Sequence, residues 1–105
     1  MNRYEVITKR VFEEELDEIL NYIIHILKEP KLAIDIYNEI INYITSLEYF
    51  PKRYYQIPYY SIERKNNIRR MVVKKFIILY EVDDRLSQVN ILHIFHGNQN
   101  YLNQL

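Results

Sequence analysis

The chain has 105 residues, of which 49% are hydrophobic and 27% are charged. This length predicts a single domain over residues 1–105 with one hydrophobic core, and the composition excludes a disordered chain. The absence of cysteine excludes disulfide and thiol chemistry. Because the sequence shows neither a signal-peptide pattern nor an apolar run as long as a membrane helix, we expect a cytoplasmic protein with no membrane partner.

The charge of the chain is balanced overall but not locally. It contains 14 basic and 14 acidic residues, yet the segment from Lys52 to Lys75 contains eight basic residues and one acid, Glu63. A local cationic field of this kind attracts anionic partners even when the whole chain is neutral.

The first half of the chain predicts a strand followed by two helices. Residues 4–8 are prone to form a strand, and apolar residues then recur at helical spacing through residues 12–27. Pro30 is expected to end this helix, since the residue before a proline avoids helical angles. A second helical pattern covers residues 32–47 and is expected to end at Pro51. Two helices joined this closely form an antiparallel hairpin.

The second half of the chain predicts a long loop and three strands. Residues 51–67 break the periodicity and are expected to form a surface loop. Strands follow at residues 68–74, 76–82 and 88–95, with a turn at residues 83–87. Links this short indicate antiparallel neighbours. We therefore predict an α+β fold: an N-terminal strand, an α-helical hairpin and a three-stranded antiparallel meander, with the helices packed on one face of the sheet.

The residues that could bind a metal or cofactor are few. The three histidines, His25, His93 and His96, form no recognised ligand motif. His93 and His96 are three residues apart, which places them on opposite faces of a strand. With a single glycine in the chain, a phosphate-cradling loop is excluded. The sequence therefore predicts no metal site and no cofactor.

The basic segment is the remaining candidate for chemistry. Arg69 and Arg70 are neighbours in a strand, so only one of them can lie on the face away from the helices. The planar guanidinium fork suits phosphate recognition. The loop sequence PKRYYQIPYY alternates cations with rings that can stack on unpaired bases. The alternative interpretation, which composition alone favours, is a solvated loop whose tyrosines cover the edge of the core.

Several phrases of the sequence occur in an order and spacing that resemble a known family. They are ILNYI in the first helix, SLEYFPKRY after the second, IRRMVVKKFIILYEVDD in the strand pair and VNILHIFHGNQNYL near the C-terminus. Together they resemble the RelE/ParE superfamily, toxins of bacterial type II toxin–antitoxin systems associated with plasmid stabilisation and growth inhibition. The resemblance implies a single toxin domain over residues 1–105. It also implies a cognate antitoxin protein that wraps the toxin in a hetero-oligomer.

The resemblance also assigns candidate catalytic residues. Arg69, or its neighbour Arg70, matches an arginine that stabilises charge on the scissile phosphate in the nuclease members. A structural role for it, paired with an acid at the sheet edge, is the alternative. His96 matches the histidine of a terminal His-Gly pair, and Tyr101 matches an aromatic position that serves packing or function. The candidate catalytic set is therefore Arg69, His96 and Tyr101, and Tyr80 is expected in the core.

Other basic residues are candidates for binding the target or the antitoxin: Lys52, Arg53, Arg64, Lys65 and Arg70. The sequence departs from the superfamily in two places. Asn98, Gln99 and Asn100 replace the two arginines and the aspartate that many relatives carry after the His-Gly pair. The paired lysines of the RelE nucleases have no clear match.

These features leave three functional hypotheses. The favoured one is a ParE-like growth inhibitor that acts on DNA gyrase, because the lysine pair and the terminal arginines are absent. The alternative is a RelE-like, ribosome-dependent mRNA endoribonuclease, which would need no metal. There Arg69 would stabilise the phosphate and His96 or Tyr101 would move a proton. The third hypothesis is a degenerate, non-toxic module that still binds an antitoxin.

Overall fold

The computed structural model describes residues 3–57 and 67–97, which form two helices, a π-helical turn and a five-stranded sheet. The strands are short to medium in length, and the two helices follow the first strand. In chain order the elements are β1 (Glu5–Thr8), α1 (Arg10–Asn21), the π-helical turn (Tyr22–Ile26), α2 (Pro30–Ser46), β2 (Tyr55–Gln56), β3 (Asn67–Val73), β4 (Phe76–Asp83) and β5 (Gln88–His96). The predicted α+β order of strand, helical hairpin and antiparallel strands is confirmed.

The sheet has the strand order β1-β5-β4-β3-β2. Strands β3, β4 and β5 form the predicted antiparallel meander. The first strand lies parallel to the last one, with Glu5 opposite Gln88 and Thr8 opposite Ile91. At the other edge, β2 pairs with β3 through two residues, and this short strand lies in the region that the sequence predicted as loop. Residues 58–66 of that region lie outside the described residues.

The helical hairpin differs in detail from its prediction. The first helix ends in the π-helical turn, in which the Leu27 amide donates to the Tyr22 carbonyl at 3.1 Å. Pro30, which we expected to end the first helix, is instead the first residue of α2. Proline suits that position because its backbone angle is already helical and first-turn amides have no partner within the helix. The second helix ends at Ser46, five residues before Pro51.

One large core lies between the helices and the sheet face that they cover, here called the inner face. Buried side chains from one stripe of each helix meet alternate residues of the strands. The helical contribution comes from Phe12, Leu16, Ile23, Ala33, Ile36, Ile40 and Ile44. The strand contribution comes from Met71, Val73, Phe76, Ile78, Tyr80, Val82, Val89, Ile91 and Ile94. A β-bulge beside Leu79 and Tyr80 leaves Leu92 unpaired, which explains why the alternation in β5 moves from Ile91 to Ile94.

The opposite, outer face of the sheet carries two smaller buried clusters. One contains Ile57, Ile68 and Leu92, and the other contains Ile77, Leu79 and Phe95. Strand β4 is therefore buried on both faces, as its nearly continuous apolar sequence predicted.

Candidate functional site

Residues Pro51–Tyr54 form a turn after α2, here called the basic turn. Side chains of the sheet hold this turn in place through hydrogen bonds. The Arg69 guanidinium donates from its Nη1 to the carbonyls of Lys52 at 3.1 Å and Tyr54 at 2.8 Å. The Tyr80 hydroxyl donates to the Pro51 carbonyl at 2.6 Å. Two residues of neighbouring strands thus fix the backbone that carries Lys52 and Arg53.

Arg69 lies on the inner face, opposite Tyr80 in the β3–β4 register. Its Nε is buried and has no hydrogen-bond partner within residues 3–57 and 67–97. The hydroxyl of Tyr80 is fully buried with its ring, and burial raises the pKa of Tyr80 far above its usual range. The predicted core position of Tyr80 is therefore what the structure shows.

Lys52 is engaged by an acid from the β4–β5 turn. Its Nζ donates to Asp84 Oδ2 at 2.7 Å, and the Tyr4 hydroxyl donates to Asp84 Oδ1 at 2.7 Å. These two hydrogen bonds hold the pKa of Asp84 below its usual value. The same bonds to Asp84 raise the pKa of Lys52 and that of Tyr4. The network joins the N-terminal segment, the basic turn and the β4–β5 turn.

Arg53 and Arg70 each lie over a tyrosine ring. The Arg53 guanidinium is 4.8 Å from the centre of the Tyr54 ring and donates to Ser46 Oγ at 3.0 Å and the Tyr54 hydroxyl at 2.8 Å. Arg70 is 5.3 Å from the centre of the Tyr55 ring. Since Arg70 alternates with Arg69, it lies on the outer face, so the arginine on the face away from the helices is Arg70.

The remaining predicted site residues are not gathered around this cluster. His96 is at the far end of β5, where its ring meets Phe76 edge-on at 5.8 Å. The following Gly97 amide donates to the Lys75 carbonyl at 2.7 Å, and a Cβ at residue 97 would be only 3.2 Å from that oxygen. Arg64, Lys65 and Tyr101, with residues 98–100, lie outside the described residues. Arg69 and His96 thus belong to different ends of the sheet.

An apolar groove lies at the end of the sheet that carries His96. It has a volume of about 730 Å³ and lies between the tip of the helical hairpin, the β3–β4 turn and the end of β5. Its apolar lining includes Ile19, Tyr22, Ile23, Leu27, Leu32, Ile36, Phe76, Ile94 and Phe95. Glu15 and Glu18 stand on the helical side, and Lys74 and Lys75 on the sheet side. This groove was not predicted from the sequence. Four apolar residues at the hairpin tip could have indicated it, because Tyr22, Ile26, Leu27 and Leu32 are all exposed.

Glu15 closes the edge of β5 beside the groove. Its carboxylate accepts a hydrogen bond from the Ile94 amide at 3.0 Å and lies 3.2 Å from His93 Nδ1. The His93 ring also stacks on Phe95, at 5.3 Å between ring centres. His93 thus shares the outer face with Phe95, whereas His96 meets Phe76 of the inner face, in line with their spacing.

The part of the chain that the structure describes shows neither a metal site nor a membrane span. Residues 3–57 and 67–97 contain no group of three or more histidine, aspartate or glutamate side chains that could hold a metal ion. None of the helices in these same ranges is long and apolar enough to cross a bilayer.

The sequence matches the profile of the ParE toxin of type II toxin–antitoxin systems, parDE, over residues 6–101. The chain belongs to the ParE toxin family. The match includes both helices, strands β2 to β5 and all of β1 except Glu5, as well as the basic turn and the groove. This ParE-family chain is therefore a toxin-type protein of the RelE/ParE superfamily, as the sequence resemblance indicated.

Solved toxin–antitoxin structures share the fold of this ParE-family chain. The chromosomal ParDE system of P. aeruginosa matches with a TM-score of 0.70 and 17% identity, over 90% of this chain and 96% of that one. The archaeal RelE–RelB complex of Pyrococcus horikoshii OT3 matches with a TM-score of 0.65 and 15% identity, over 92% and 98%. The RelBE2 complex of Mycobacterium tuberculosis matches with a TM-score of 0.59 and 18% identity, over 91% and 93%. No curated protein sequence matches this chain significantly.

Proposed function

We propose that this chain is a bacterial growth inhibitor that acts on DNA gyrase in the cytoplasm and is neutralised by a cognate antitoxin. The observation that carries the proposal is the match to the ParE toxin family over residues 6–101. The structural similarity to the ParDE system of P. aeruginosa supports the same choice. On this reading the whole chain, residues 1–105, is one toxin domain.

The geometry of Arg69 favours inhibition of gyrase over cleavage of RNA. A nuclease needs the guanidinium free to stabilise charge on a phosphate. Here the Arg69 Nη1 donates to two backbone carbonyls, those of Lys52 and Tyr54. His96, the candidate for moving a proton, contacts Phe76 at the other end of the sheet. These contacts support a protein that binds its target rather than one that cuts it.

The groove at the hairpin tip is the surface we assign to the antitoxin. The apolar side chains that line the groove can bury the apolar side chains of a partner segment, as grooves that take a helix or a strand of another protein do. At its rim Lys75 and Glu18 would pair with opposite charges on either side of an apolar segment, whereas Lys74 is paired with Glu39 and Glu15 with the Ile94 amide. Three solved structures of similar fold are toxin–antitoxin systems or complexes, which supports an antitoxin partner and a hetero-oligomer.

The experiment that tests the function combines growth with a purified assay. The chain is expressed from an inducible promoter, alone and together with any small protein that proves to be encoded next to its gene. We expect growth arrest that co-expression relieves, and inhibition of DNA supercoiling when purified toxin is added to purified gyrase.

Two outcomes would contradict the proposal. Primer extension on mRNA after induction would show codon-phased cuts if the chain were a ribosome-dependent nuclease, with Arg69 as the phosphate-binding group. Normal growth with unaffected supercoiling, together with retained antitoxin binding, would instead indicate the degenerate module, with Asn98, Gln99 and Asn100 as the departure that removed toxicity.

A further inference from the structure

Two adjacent arginines of β3 make unlike contacts. Arg69 points to the inner face and donates to the carbonyls of Lys52 and Tyr54 in the basic turn. Arg70 points to the outer face and lies over the Tyr55 ring, 5.3 Å from its centre. The alternation of the strand separates the two guanidinium groups completely, so they cannot act on one ligand from the same side.

The contacts of Arg69 nevertheless reach the stack on the other face. Tyr54, whose carbonyl Arg69 holds, is followed directly by Tyr55, the ring beneath Arg70. Strand β2 consists of only Tyr55 and Gln56, paired opposite Arg70 and Arg69. A two-residue edge strand has few ladder bonds of its own, so the bonds from Arg69 fix the backbone from which the Tyr55 ring projects.

We propose that Arg69 is a positioning residue, and that it positions the Arg70–Tyr55 stack to bind a carboxylate of the target protein, gyrase. The assignment to a protein partner rests on the proposed function. The Tyr55 side of the stack is open, since 59% of that residue is exposed. A ring beneath the guanidinium limits its rotamers, and the planar fork then meets a carboxylate with two parallel hydrogen bonds.

The charges around the stack fit an anionic partner. Arg70 forms no ion pair with any other residue within 3–57 and 67–97, whereas Lys52 is neutralised by Asp84 at 2.7 Å and Lys74 by Glu39 at 3.1 Å. Arg70 is paired with Leu79 of β4, and Glu81 lies on the same face two residues further along that strand. The Glu81 carboxylate accepts a hydrogen bond from the Asn90 side chain. Arg70 is thus a half-buried cation on the outer face, stacked on an exposed ring.

The positioning role is tested by NMR on the full chain. In Arg69→Ala we expect the amide signals of residues 52–55 and the Nε–Hε signal of Arg70 to move together, because the stack loses its support. In Tyr55→Ala the Arg70 signal should move while the Lys52 amide stays in place. Arg85→Ala, an exposed arginine of the β4–β5 turn, is the matched control and should leave all of these signals unchanged. An Arg70 signal that is unaffected in Arg69→Ala overturns the proposal.

The binding role is tested by a double-mutant cycle in the supercoiling assay with purified gyrase. Removing a charge-assisted contact should raise the half-inhibitory concentration of Arg70→Ala by about ten- to a hundredfold. Arg69→Ala should cost a similar factor alone and add almost nothing in the Arg70→Ala background, because it acts through the same group. If the fold-increases in half-inhibitory concentration of the two single variants multiply in the double variant, Arg69 contacts the partner itself, and the proposal is overturned.

Further measurements distinguish three causes of a negative result: a misfolded variant, a wrong proposed function and a wrong role for Arg69. Thermal melts establish whether Arg69→Ala folds, and Arg69→Lys, which keeps a donor and a charge, should restore part of the activity if positioning is the role. If the unmodified chain leaves gyrase active, the proposed function fails, and the NMR measurements still decide the positioning. Binding of a short single-stranded RNA is measured as well. If the chain binds this RNA and Arg70→Ala weakens the binding, the ligand of the stack is a phosphodiester, and the assignment to a carboxylate is overturned.

Discussion

The two ends of the sheet are built in opposite ways. At the end near the β4–β5 turn, here called the closed end, Arg69, Tyr80 and Asp84 bind the basic turn through hydrogen bonds within the chain. At the end near the β3–β4 turn, here called the open end, the groove exposes apolar side chains of the helical hairpin. At the closed end the polar groups form hydrogen bonds within the chain, whereas at the open end apolar side chains remain exposed to solvent.

The contrast indicates which end of the sheet is already fixed in the free protein. The hydrogen bond to the buried Pro51 carbonyl is costly to lose, and Arg69 adds bonds to the less buried carbonyls of Lys52 and Tyr54. The closed end therefore keeps one arrangement of its cations in the free protein. The open end exposes apolar area, and covering this area with a partner is favourable because it removes the area from water. We therefore expect loss of the internal hydrogen bonds at the closed end to lower folding stability, and loss of apolar contacts at the open end to weaken association.

The largest effect is expected from a charge placed in the groove. Leu27→Asp should weaken binding of the antitoxin by about 2–4 kcal/mol, since a buried interface position would then hold an unpaired carboxylate. Leu27 is 44% exposed in the free chain, so its melting temperature should change little. Isothermal titration with the purified antitoxin measures the loss. Leu86→Asp, at an exposed leucine of the closed end, is the control, and an equal loss there would contradict the contrast between the ends.

A smaller effect is expected from a single oxygen at the closed end. Tyr80→Phe removes the donor to the Pro51 carbonyl and leaves that buried acceptor without its partner. The free energy of unfolding should fall by about 1–3 kcal/mol in a denaturant titration. Tyr37→Phe removes the hydroxyl of an exposed tyrosine of α2 and should change stability by less than about 0.5 kcal/mol. Equal effects at the two tyrosines would show that the basic turn is not held as described.

Glu15 allows the boundary between strand edge and groove to be tested. Glu15→Ala removes the acceptor of the half-buried Ile94 amide and should cost about 1–2 kcal/mol of stability. Glu15→Gln keeps an acceptor oxygen in place and should recover most of that loss. Glu14→Ala removes only an exposed pair with Arg10, worth about 0.3–0.5 kcal/mol. If both alanine variants melt alike, Glu15 does not cap the edge of β5.

The smallest effect is a pH dependence at the closed end. Hydrogen bonds from Lys52 and Tyr4 lower the pKa of Asp84 in the folded chain below the ordinary value of 3.8. A lowered folded pKa means that the carboxylate stabilises the fold above that ordinary value, and that this stabilisation disappears as the pH falls through the folded pKa. Asp84→Asn should therefore melt slightly lower than the unmodified chain at pH 5–7, and the difference should vanish in strong acid.

Salt provides the control for this pH dependence. The Lys52–Asp84 pair is about half exposed, so 1 M NaCl should shrink the difference at pH 7. If the melting temperatures of Asp84→Asn and the unmodified chain differ as much in strong acid as at pH 7, Asp84 stabilises the turn by its shape and not by its charge.

The strands were the most predictable part of the fold. Alternation and the apolar run predicted residues 68–74, 76–82 and 88–95, and the observed strands differ by one residue at several ends. These patterns depend on burial of each face, which the sequence records directly. Strand β2 was missed because two residues carry no periodicity, and its pairing with β3 depends on contacts distant in sequence.

The site was less predictable because its bonds join distant backbone groups. Alternation alone showed that Arg69 and Arg70 face opposite ways, but the inner arginine is identified only by its pairing with Tyr80. The carbonyls that Arg69 binds are 15 and 17 residues away, and no side-chain motif announces a backbone acceptor. The π-helical turn was hidden in the same way, since its apolar residues also fit an α-helical pattern.

The parallel pairing of β1 with β5 affects how the chain can be made. Glu5–Thr8 finds its partner only at Gln88–Ile91, so this pair joins the beginning of the described chain to its last strand. During synthesis the first strand and the helical hairpin emerge long before the strand that completes the sheet edge. A chain that is cut short before residue 88 thus has a first strand without its partner. Pairing over so great a sequence distance is also slow to form.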